Sequence, residues 1–100
     1  MKVVLSANAE SDLFEIGVFI SQDSNERSIS FVRELRGACT ALGGMPRAFP
    51  LIHAATGIRR KPYKSHLIFY VILDDAVQIA RVIHAARDYM KIVFPTPPLP

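Results

Sequence analysis

One hundred residues, half of them hydrophobic and 21% charged, suffice for one modest core and exclude a chain that stays disordered. The longest unbroken apolar run, Leu67 to Leu73, is too short to span a bilayer, and the opening "MKVVLSANAESD" lacks the apolar core and cleavage site of a secretory signal. The net charge of +3 is uneven: residues 1–46 hold four Lys/Arg against six Asp/Glu and residues 47–100 eight against three, so a basic face belongs to the second half.

Lys2 to Leu5 is a short β-type run. Ser6 can cap a helix over about Ala7 to Ser21, with Ala9, Leu13, Ile16 and Ile20 on one stripe and Glu10, Asp12 and Glu15 near the positive end of its dipole. Ser24 can cap a second helix, about Asn25 to Leu42, whose three-four spacing runs through Ser28, Phe31, Val32, Leu35, Ala38, Cys39 and Leu42. Gly43 or Gly44 predicts a left-handed stop, and Pro46 prevents resumption. Two such helices joined by a short polar loop form an antiparallel hairpin with one shared apolar face. Cys39 falls on that stripe as a buried structural thiol, and as the only cysteine it cannot form an internal disulfide, which fits a reducing cytoplasm.

"RAFPLIHAAT" reads as an irregular connection. "GIRRKPY" reads as a strand closed by Pro62, "HLIFYVIL" as a strong strand, "DD" as a turn and "AVQIARVIH" as the returning strand. The expected architecture is α+β, in the order β-α-α-β-β-β, with the helix hairpin on one face of a small antiparallel sheet. Residues 1–93 form one domain in this reading, and 94–100, "FPTPPLP", an extended proline-rich tail. The three histidines and one cysteine have no metal-ligand spacing, and no cofactor is implied.

The last hairpin is apolar on both faces. With Leu73 paired to Ala76 across the Asp74–Asp75 turn, one face collects Leu67, Phe69, Val71, Leu73, Ala76, Ala80 and Val82, and is expected under the helices. The other collects His66, Ile68, Tyr70, Ile72, Val77, Ile79, Arg81 and Ile83. Two helices cover only one face, so the second is either an interface or is covered by the segment after Asp88, where Met90, Ile92, Val93 and Phe94 are apolar.

At this point the residues resemble a known family. "ANAESDLFEIGVFI" is similar to the A-x-x-D-L-x-x-I opening helix of ParE-branch toxins in the ParE/RelE superfamily, here Ala9, Asp12, Leu13 and Ile16. "GIRRKPYKSHLIFYVI" resembles the family's R-x-x-P-x-x-x-x-L-I-F-Y strand pair, and "VQIARVIHAARD" its V-x-I-x-R-V-x-H-x-A-R-D ending. The likeness spans about residues 3 to 93. It departs at the loop after Pro46, where the family usually has glycine and this chain has "RAFP", and at Lys64–Ser65, where glycine is common.

The resemblance implies the toxin of a type II toxin–antitoxin pair, in a hetero-oligomer with a ParD-like antitoxin, with DNA gyrase as target and no membrane partner. RelE relatives instead cut messenger RNA on the ribosome. That chemistry needs a cationic clamp and proton carriers, for which Arg59, Arg81, His84 and Arg87 are the candidates. The assumed register puts His84 opposite Arg81, which favours a non-enzymatic binding toxin over a ribonuclease. A small basic nucleic-acid-binding module is the third reading, although no aromatic-interleaved basic strand supports it. The expected antitoxin surface is Ile68, Tyr70, Ile72, Val77 and Ile79, with Arg59, Arg60 and Arg81 for an acidic segment.

Overall fold

Both long helices begin where a serine can satisfy a free backbone amide. In the computed structural model, which describes residues 1–94, Ser6 Oγ accepts the Ala9 N–H at 3.0 Å and opens α1 (Ala7–Ser21). Ser24 Oγ does the same for Arg27 at 3.2 Å and opens α2 (Asn25–Thr40). The second helix ends two residues before the spacing predicts, tightening into a 3-10 turn over Ala41–Gly43. Gly44 stays right-handed at φ −90°, so the expected left-handed stop does not form. Gly43 serves another purpose, because a Cβ there would run into the Met1 carbonyl.

The sheet has five strands in the order β1-β5-β4-β3-β2. Leu51–His53, within the segment that reads as irregular, is β2, paired with the start of β3 (Ile58–Tyr63). Pro62 lies inside β3 rather than closing it. It is tolerated because β2 reaches only Ile58 and Arg59, leaving Pro62 with β4 (His66–Leu73) on one side and no strand on the other. β5 (Ala76–His84) pairs antiparallel with β4, and Leu73 does oppose Ala76. β1 (Lys2–Leu5) joins the far side of β5 in parallel, so the small sheet carries one parallel edge. A short α3 (Tyr89–Val93) follows. Of the expected proline-rich tail, residues 95–100 lie outside the described residues.

The helices lie on the opposite sheet face from the one expected. Ile68, Tyr70, Val77 and Ile79 are each 0% exposed and pack with Leu13, Leu35, Ala38, Cys39 and Leu42, and Ile72 packs against the same cluster. They are the core of the chain, not a surface for another protein. The reverse face, with Phe69, Ile83 and Ile58 buried, is covered by Tyr89, Ile92, Val93 and Phe94. The C-terminal cover therefore exists, on the other side. Register also shifts at Ala80, since Phe69 pairs with Arg81 and Tyr70 with Ile79. This bulge puts Val82 on the helix side with Ile68 and Tyr70 and Ile83 on the α3 side with Phe69, so each shares its face with the β4 residues expected on the other.

Candidate functional site: a cleft between the helices and the end of the sheet

β1 pairs only as far as Ile79, so beyond it β5 is an edge that α1 crosses. Asp12 seals this edge. Its carboxylate accepts the Val82 N–H at 2.9 Å and both Nε and Nη2 of Arg81 at 2.8 and 2.7 Å. Beside this seal opens a cleft of about 980 Å³ between the α1–α2 hairpin, the β3–β4 turn and the end of β5. Ile16, Phe19, Ile20, Phe31 and Val82 give it an apolar wall, and Phe19 stands 76% exposed.

Some of the polar groups of the cleft are paired. Glu34 accepts the Tyr63 hydroxyl and the Lys64 ammonium, both at 2.8 Å, and the Lys64 bond foremost holds its carboxyl below the usual range. Lys64 adopts φ 51° at the two-residue turn, the left-handed conformation that accounts for glycine being common there. His66 is nearly buried, 5.3 Å from the Phe31 ring and 5.0 Å edge-on from His84. Its Nδ1 has no hydrogen-bond partner among the described residues, and burial, then His84, lowers its pKa. His84 Nδ1 accepts the Ala86 N–H at 3.0 Å, which places the proton of the neutral ring on Nε2.

The expected cationic clamp does not assemble. Arg81 is held by Asp12, Arg59 Nη1 donates to the Phe49 carbonyl at 2.8 Å, and Arg60 Nη1 donates to the Tyr89 hydroxyl at 2.9 Å. Lys61 Nζ donates to the Ala38 carbonyl at 2.7 Å. Arg59 pairs with Tyr70 while His84 pairs with His66, four residues along β4, so they are offset by roughly 13 Å along the strands at about 3.3 Å per residue, with β4 lying between them. Of the four ribonuclease candidates only His84 and Arg87 share the cleft. Of the expected antitoxin residues, Ile68, Tyr70, Val77 and Ile79 are wholly buried, and the three arginines are spent on internal bonds. Phe19, Ile16, Phe31 and His66 were the missed members. Phe19 lies three residues from Ile16 and carried the one available signal, a large aromatic outside the core stripe.

Among the described residues there is no group of three or more side chains suited to hold a metal ion, and no helix is long and apolar enough to cross a membrane.

Comparison with known proteins matches residues 3–89 to the family model described as the ParE toxin of the type II toxin–antitoxin system, parDE. A search of curated proteins finds no match. Among solved structures, a chain described as "Chromosomal ParDE TA system from P. aeruginosa" is similar at a TM-score of 0.74 and 15% identity, over 84% of this chain and 95% of that one.

Proposed function

The chain belongs to the ParE toxin family of type II toxin–antitoxin systems, and from that membership we propose that it acts by binding rather than by catalysis. In this reading the free toxin inhibits DNA gyrase in the cytoplasm, and a ParD-like antitoxin silences it in a hetero-oligomer. The observation that carries the reading is the contrast between the two sets of candidate groups. Arg59, Arg60, Lys61 and Arg81 are each committed to an internal acceptor, so these four do not converge on a site for a phosphate. The cleft, by contrast, offers an open apolar trough of about 980 Å³ with a mixed-charge rim.

Such a trough suits an amphipathic segment that is disordered when free and orders on binding. Its apolar side would meet Phe19, Ile16 and Phe31, and Arg87 at the rim would orient an acidic side chain. Purified toxin should inhibit gyrase supercoiling and leave translated messenger RNA intact. Changing Phe19 to Ala should weaken antitoxin binding by on the order of 1–3 kcal/mol, the range for losing an exposed anchor, with little change in melting temperature. Ribosome-dependent cuts that vanish on changing His84 or Arg87 would overturn the binding mechanism. An unchanged dissociation rate for Phe19→Ala would move the antitoxin to another surface.

A further inference from the structure

At the sheet end of the cleft His66 and His84 stand directly opposite each other on β4 and β5, their rings 5.0 Å apart and edge-on. His66 is only 8% exposed, yet its Nδ1 has no hydrogen-bond partner among the described residues. A proton on that buried nitrogen would lack an acceptor, so the neutral ring carries it on Nε2, the nitrogen left to meet an occupant. In His84 the Ala86 N–H occupies Nδ1 and fixes the proton on Nε2 as well. Two neighbouring rings thus each hold an Nε2–H donor, and among the described residues the chain supplies no acceptor to either. Arg87, just past His84, lines the same cleft and makes no ion pair among the described residues.

We propose that this histidine pair is a carboxylate-recognition site, which receives one acidic side chain of the antitoxin segment in the cleft and takes up a proton as it does so. It rests on the cleft being the antitoxin's seat, as proposed above. Two N–H donors side by side, with a guanidinium close in the chain, match the two oxygens of a carboxylate. A single negative charge suits the surroundings better than a phosphate. Lys64 of the β3–β4 turn is bound to Glu34, which also holds the Tyr63 hydroxyl, and Arg27 of α2 is bound to Asp23. On α1 Asp12 is spent on Arg81, while Glu15, and Glu26 of α2, add negative charge to the lining. Arg87 is left as the one such cation of the cleft without an ion pair among the described residues. With the site empty, burial and then the nearby His84 oppose a charge on His66. A carboxylate set against its Nε2–H favours the imidazolium, so occupancy and proton uptake reinforce each other and affinity rises as the pH falls.

The test is calorimetry of the full chain against its ParD-like antitoxin at pH 7.5 and pH 6.0, in buffers of different ionisation enthalpy. Affinity should rise about three- to tenfold at the lower pH, with net uptake of about one proton. His66→Gln should bind without that rise and without the uptake. If this variant melts early, the parent chain decides: in NMR pH titrations the His66 ring should take up its proton at a higher pH in the complex than in the free chain. His84→Ala, at an exposed position, should weaken binding about three- to tenfold at both pH values with unchanged melting. Phe19→Ala separates the outcomes. If it weakens binding but affinity does not change with pH, or uptake persists in His66→Gln, the carboxylate site is overturned and the cleft stands as the interface. If Phe19→Ala leaves binding unchanged, the antitoxin sits elsewhere and both fall. Inorganic phosphate that raises the His66 titration as far as the antitoxin does would assign the site to phosphate and overturn the carboxylate.

Discussion

Asp12 and Arg81 lie 69 residues apart in the chain, and the Asp12 carboxylate holds the Arg81 guanidinium through two hydrogen bonds while also accepting the Val82 N–H. One side chain thus fixes α1 against β5 and closes the strand edge that β1 leaves open. Asp12 is 5% exposed and the Arg81 side chain 25%.

Removing Asp12 should be costly, since it strands a buried N–H and a mostly buried cation. Asp12→Ala is expected to destabilise by about 2–4 kcal/mol, discounted from a fully buried pair for the access water has to Arg81. Asp12→Asn keeps an acceptor and should cost less than half of that. Urea denaturation of the two variants measures both. A loss under about 0.5 kcal/mol for the alanine variant would mean that the edge is not held this way.

Acidification should destabilise the fold through His66. Burial lowers its pKa in the folded chain below the ordinary 6.5. Above 6.5 neither state is protonated and the stability is complete. As the pH falls from 6.5 towards the folded value, only the unfolded chain takes up the proton, so stability is lost. Thermal melts from pH 7.5 down to pH 5 should show this decline, with a shallower slope in His66→Leu. Identical slopes would place the effect on other groups.

Cys39 should be chemically silent. It is 0% exposed, and burial, the largest cause, pushes its thiol up to about 11. A thiol reagent at neutral pH should label the native chain only as fast as it opens, and the denatured chain at once. Rapid labelling of the native protein would contradict the packing of α2.

Tyr70 is expected to matter for stability rather than for partner binding. Its hydroxyl donates to the Pro46 carbonyl at 2.8 Å and its ring is wholly buried. Tyr70→Phe should cost about 1 kcal/mol and Tyr70→Ala about 3–5 kcal/mol. If Tyr70→Ala melts like the parent chain and fails to bind antitoxin, the ring faces a partner after all.

The helices were legible because their signals are local. Ser6 and Ser24 are capping residues, and the apolar stripe from Leu13 to Leu42 admits one buried side. The Asp74–Asp75 turn was equally plain, and Leu73 opposes Ala76 as its length requires. The choice of sheet face was not legible. β4 is apolar on both sides, so alternation carries no sign that distinguishes the helix side from the α3 side. The bulge at Ala80 was also hidden, as nothing about an alanine between Ile79 and Arg81 marks an extra residue. The cleft depends on where β1 stops and how α1 crosses the open edge of β5, and neither is written in any one segment.

The parallel pairing of β1 has a consequence for the order of assembly. Lys2 opposes Ala76 and Leu5 opposes Ile79, so the first strand to be synthesised waits for nearly the last. The α1–α2 hairpin and the β3–β4 and β4–β5 hairpins join near neighbours and can form quickly, whereas closing a loop of some seventy residues is slow. During that interval β5 presents an unpaired flank and the apolar side of β4 lacks its full cover. The nascent chain is then most open to capture by aggregation, or by a companion protein made nearby, before its own N-terminus arrives.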